Sequence, residues 1–258
     1  MRTVRIAGLL VLVGAALRVA GLFLPFWGGG ALADEPATLV RGLVQAGVLG
    51  AAGVLTLARP GSEFAAGLSV GAGWFVAALD FHEVLWTIDA EFDTGAGFLL
   101  VTAGAIVALA GAVTLSMGAV PTRRAHAVGW GVLTGLLGAA SFAFPPYGSY
   151  GLLIDQLNGL TVRTALVMVV AAALPLAATR LGELGSGVAA AVAGVFASQV
   201  AFAFLGADET GEELALGFYL GFAAGVTALA LAVRLIGGAE EEAGPAFRER
   251  RAGTDAAP

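Results

Sequence analysis

Apolar blocks about 20 residues long alternate with short polar or Gly/Pro-rich breaks along the whole chain, at 4–26, 38–58, 64–86, 96–118, 127–144, 160–179, 184–205 and 214–236. A helix rises about 1.5 Å per residue, so each block is near the ~20 residues needed to cross ~30 Å of hydrocarbon. Breaks such as Arg59-Pro60-Gly61 and Pro121-Thr122-Arg123-Arg124 stop helices, because proline cannot continue the hydrogen-bond ladder and glycine relaxes it. The pattern predicts an all-α, polytopic integral membrane protein with eight transmembrane helices.

Arginine placement predicts the orientation. In an eight-span arrangement Arg2, Arg5, Arg59, Arg123, Arg124, Arg180, Arg234, Arg248, Arg250 and Arg251 fall on one side, which the positive-inside rule makes cytoplasmic, so both termini are expected in the cytoplasm of a cell-membrane protein. The other side takes Asp34, Glu35, Asp89, Glu91, Asp93, Asp155 and the run from Asp208 to Glu213. Trp27, Trp86, Tyr147 and Tyr150 lie near its helix ends, as an interfacial aromatic belt does. The N-terminus imitates a secretory signal, with Ala31-Leu32-Ala33 as a cleavage-like triplet. Its apolar run is too long for a signal core, however, and contains Arg18.

A repeat with a period near 120 residues underlies the pattern. Aligning Gly97 with Gly217 keeps nine identities in the 17 positions from 97 to 113, but Ala/Gly/Leu-rich segments match easily by chance, so the Phe, Pro and Arg positions carry most weight. Upstream, Phe23-Leu24-Pro25-Phe26 aligns with Phe144-Pro145-Pro146-Tyr147, and Val40-Arg41 with Val162-Arg163. An even number of helices per repeat makes the repeats parallel, related by an axis along the membrane normal. The expected domains are therefore 1–120 and 121–236, two tandem four-helix transmembrane repeats, followed by 237–258, whose mixed charges predict a disordered cytoplasmic tail.

Composition narrows the chemistry. With 58% hydrophobic and 12% charged residues and a mean hydropathy of +0.88, the lipid bilayer is the expected partner. No basic run suggests nucleic acid. The absence of cysteine excludes disulfides, thiolate metal sites and thiol nucleophiles. All 13 basic residues are Arg, which leaves no lysine for a Schiff base, and the two histidines, His82 and His126, fall short of bis-histidine ligation of two haems. No cofactor is expected.

The informative local feature is Asp80-Phe81-His82-Glu83, which sits within the apolar end of the third block, where ionisable groups need a partner or a cavity. Arg18 lies at a similar depth on the first block. The aligned second-repeat positions are Ala139 and Ala201, so both charges belong to one repeat and are expected to pair, with Glu83 or His82 as a second contact. Arg41 and Arg163 stand at helix ends, where long side chains snorkel to the interface without a buried partner. Asp89, Glu91 and Asp93 lack the glycine and terminal glutamate of a calcium loop and read as a solvated surface. Gly217, Gly221 and Gly225 recur every fourth residue, as do Gly67/Gly71 and Gly131/Gly135. This spacing allows close helix packing, expected within the chain rather than at an oligomer seam. Gln45 and Gln199 are expected to bond between helices.

Few charges within the spans and short loops make a non-catalytic accessory, assembly or scaffold subunit the leading expectation, with other membrane subunits or a second copy of the chain as partners. The alternative is a small-solute or ion transporter with Asp80, Glu83 and Arg18 in the pathway. A membrane-embedded metal-dependent enzyme using Asp80, His82 and Glu83 ranks third, because neighbouring helix positions point apart and do not converge on one ion.

Overall fold

The computed structural model describes residues 1–27, 30–89, 93–121, 127–148 and 162–242. Its helices are α1 (Arg2–Leu22), α2 (Pro36–Ala58), α3 (Glu63–Asp89), α4 (Ala96–Ser116), α5 (Val128–Ala143), α6 (Val162–Ala178), α7 (Gly182–Thr210) and α8 (Leu216–Glu242). Among the described residues the fold is all-α, and six helices, all but α5 and α6, are long and apolar enough to cross a membrane. With 16 and 17 residues, α5 and α6 fall below the ~20 of a full crossing. The eight equal apolar blocks thus become six long helices and two shorter ones, and α6 carries Pro175 in its interior.

Local chemistry sets the ends. Pro36 opens α2, where its missing N–H has no partner to lose. Ser62 accepts a hydrogen bond from the Ala65 amide at 3.2 Å and caps α3. Gly211, at φ 69°, ends α7 in the left-handed conformation that glycine adopts without strain. Helix α8 runs past Ile236 to Glu242, through the first residues of the expected tail; residues 243–258 lie outside the described residues, as do His126, Arg123, Arg124, Glu91, Tyr150 and Asp155. One element was not anticipated. After α1 the chain forms a short antiparallel hairpin, β1 (Pro25–Trp27) with β2 (Gly30–Ala31), then a 3₁₀ turn at Leu32–Asp34.

Helix α1 packs against α2 and α4, while α5 packs against α6 and α8; α3 lies on α4 and α7 on α8. The two groups meet through α3 on α7, flanked by α2 on α7 and α3 on α6. Glycine makes these approaches possible. A Cβ at Gly14 would strike the Gly104 carbonyl and one at Gly104 the Gly14 carbonyl, so α1 and α4 touch backbone to backbone. The α3–α7 crossing is built in the same reciprocal way, with Gly67 against the Leu184 carbonyl and Gly187 against the Phe64 carbonyl. Between the groups, Phe75 of α3 meets Phe196 of α7 edge to face at 5.3 Å, and Phe142 of α5 closes on both. Both Phe75 and Phe196 are fully buried. The outward surface is apolar instead of charged. Leu99, Ile106, Leu136, Val169 and Val233 are each more than 60% exposed, a distribution that suits lipid and not water.

The helix ends nearest the acidic residues are tied together. Gly95 donates to the Phe26 carbonyl at 2.8 Å. In the other group, Ala215 donates to Pro146 at 3.1 Å and Gly217 to Pro145 at 3.0 Å. Glu209, at the end of α7, accepts the Ala37 amide at 3.0 Å and so caps the free amides at the start of α2.

Candidate functional site

Four helices contribute to a buried polar chain near the acidic end. Arg18 of α1 donates through Nη1 to Asp80 of α3 and through Nη2 to Gln45 Oε1 of α2, the latter at 2.5 Å. Gln45 passes its own Nε2–H to Ser198 of α7 at 3.3 Å, and Ser198 donates to the Val195 carbonyl at 2.6 Å. Arg18, Asp80 and Gln45 are 4%, 5% and 2% exposed. At such burial an isolated charge would be costly, so the ion pair and the amide complete each other. The Arg18 Nε–H is buried with no hydrogen-bond partner among the described residues.

One turn nearer the acidic end, a second pair is more open. Arg41 of α2 donates through Nη2 to Glu83 Oε1 at 3.0 Å, and the two side chains keep 23% and 28% of their surface exposed. The Arg41 guanidinium also lies over the Phe202 ring of α7, 4.6 Å from its centroid, a cation–π contact that fixes its plane.

Both pairs form one wall of a cleft of about 290 Å³ between the two helix groups. His82, Gln199, Thr164 and Ser141 add polar groups, and Phe142, Phe144 and Phe218 add apolar walls. Phe142, in the wall of the cleft, packs on the buried rings of Phe75 and Phe196 at the α3–α7 crossing.

Several expectations are placed differently. Asp80 meets Arg18, but the second contact of Arg18 is Gln45, not Glu83 or His82. Glu83 is held by Arg41 instead, because α2 presents that arginine at the level of Glu83. Arg41 therefore has a partner where snorkelling alone was expected; the Arg163 side chain lies outside the described residues. His82 lines the cleft without joining Asp80 and Glu83 in a common site. Among the described residues no three of His, Cys, Asp and Glu stand together in a way that would hold a metal ion. The glycines turn inward. Gly217 faces the Phe144 and Pro145 carbonyls, Gly221 lies 3.8 Å from Ser141 Cβ and Gly225 lies 3.4 Å from Phe196 Cβ, each distance measured from the Cβ that glycine lacks. The parts that sequence reasoning missed are Ser198 and Phe202, both on α7, where no charge drew attention to them. No protein-family model, curated protein or solved structure matches this chain.

Proposed function

We propose that the protein is a multi-pass membrane protein that receives a small polar solute from the outer side in the cleft between two tandem halves, without covalent chemistry. The observation that carries this reading is the cleft itself, about 290 Å³ with two ion pairs in its wall. A chain that only filled space between partners has no use for such a cavity, since charges within a bilayer are costly unless they serve a pathway or a site. The reading therefore ranks above the accessory or scaffold role, and the transporter alternative becomes its active form. Passage to the other side requires the α3–α7 crossing to move.

Several observations support the topology that this function needs. The helices alternate in direction, and counting the shorter α5 and α6 as spans puts Arg2, Arg5, Arg59, Arg180 and Arg234 on one side, the cytoplasmic one. Short spans are accommodated by local thinning and anchoring of the bilayer, and a proline within a membrane helix is tolerated where neighbours satisfy its carbonyls. The tandem repeat is supported by matched pairings, α1–α4 with α5–α8 and α2–α7 with α3–α6. It is supported again by the reciprocal contacts Gly67/Leu184 and Gly187/Phe64, since Gly187 follows Gly67, and Leu184 follows Phe64, by 120 residues.

The chain has no native cysteine, so a single Ser141→Cys in the cleft reports its access to water. A charged, impermeant thiol reagent added from the outer side is expected to label it and to leave a lipid-facing Ile106→Cys unmodified. Equal inertness of both positions would remove the solute cleft.

A further inference from the structure

We infer that the cleft selects a small zwitterion, with its anionic group on Arg41 and its cationic group on Glu83; this rests on the solute-cleft reading. Among the described residues the Arg and Asp/Glu charges in the wall balance, Arg18 and Arg41 against Asp80 and Glu83. A ligand of net charge entering that layer would displace one partner and leave the other uncompensated where water is scarce, which is the expensive way to break a pair. A ligand carrying both signs gives each partner a replacement and keeps the layer neutral.

The two pairs are unequal in a way that separates wall from site. Arg18 and Asp80 are closed, with side chains 5% and 7% exposed, and Gln45 completes the Arg18 fork. Arg41 and Glu83 are open and share a single hydrogen bond. Among the described residues, Arg41 Nη1 and Nε and Glu83 Oε2 have no hydrogen-bond partner. These are spare donors and one spare acceptor in the wall of the cleft, the donors on a guanidinium over which the Phe202 ring lies. A carboxylate or phosphate fits the donors, and an ammonium fits the acceptor or, when methylated, the nearby aromatic faces. The volume, at the low end of the ~300–1,000 Å³ typical of ligand sites, suits a compact molecule or a headgroup.

The test is protection of Ser141→Cys from the impermeant thiol reagent, with the protein in nanodiscs of phosphatidylglycerol. Glycine betaine and L-proline serve as zwitterions, succinate and putrescine as analogues of net charge. The zwitterions are expected to slow labelling roughly tenfold once present at about ten times their Kd, and Arg41→Gln and Glu83→Gln are each expected to abolish that protection. Phosphatidylethanolamine in the nanodisc that protects where the soluble zwitterions do not would support the same recognition and identify the source as a lipid headgroup. Protection by succinate or putrescine as strong as by the zwitterions overturns the inference while leaving the solute cleft standing, and so does the absence of protection in every arm at a site that labels readily. Failure of Ser141→Cys to label at all overturns both.

Discussion

Arg18 and Asp80 are nearly sealed from solvent, at 5% and 7% side-chain exposure, so their attraction acts in a medium that screens little and their loss is not softened by water. Removing one partner of such a buried pair costs about 3–5 kcal/mol, whereas removing both costs much less. Arg18→Ala and Asp80→Ala are each expected to lower the melting temperature of the detergent-solubilised protein, with the double variant recovering much of the loss. Strict additivity in that cycle would show that the two side chains act independently. Arg41→Gln provides the contrast, since a partly exposed pair is worth about 1 kcal/mol or less. The meeting of Arg18 with Asp80 was legible in the chain because depth can be counted from the helix ends. That Gln45 bonds between helices was expected as well, but not that its partner is Arg18. Helix α1 is apolar on every side, so its periodicity does not say which face turns toward α2 and which toward α3.

Glycines decide how closely whole helices approach, and the spacing that matters differs from the one that stands out in the sequence. The fourfold recurrence of Gly217, Gly221 and Gly225 is conspicuous, yet the α1–α4 contact uses Gly14 and Gly21 against Gly97, Gly104 and Gly111, seven residues apart and therefore two turns along one face. In a chain with 39 glycines a sevenfold spacing hides among the others until the partner helix is known. The places of the helices were readable from the apolar blocks, although α7 and α8 run on past theirs to Thr210 and Glu242; the small hairpin after α1 was not, since strands of three and two residues are too short to alternate visibly. At the α3–α7 crossing, Gly67→Leu or Gly187→Leu would force a side chain into a backbone carbonyl and is expected to yield protein that aggregates or melts far below the parent. A Cβ at Gly47 of α2 meets nothing within 4 Å, so Gly47→Ala is expected to be neutral or stabilising by about 0.5–1 kcal/mol, as alanine is in a helix. A thermal melt of the three variants separates the outcomes, and a Gly67→Leu as stable as the parent would refute the close crossing.

For the molecule as a whole, the proposed eight-span topology puts opposite ends of the bundle in opposite compartments. Ser62 precedes α3 and Thr210 ends α7, so cysteines placed singly at these positions are expected to react with an impermeant reagent from opposite sides of sealed vesicles. Labelling from one side alone would refute the eight-span topology. The order of helices also has a consequence in time. Arg18 reaches Gln45 across 27 residues and Asp80 across 62. At a synthesis rate of about 5–20 residues per second, the aspartate emerges roughly 3–12 s after the arginine. During that interval a helix with a charge near its far end has only an amide to meet it. On the eight-span reading, release of the first helix into lipid before the third arrives would leave Arg18 without its carboxylate, which disfavours its leaving alone and favours the departure of the helices joined by the polar chain as a group.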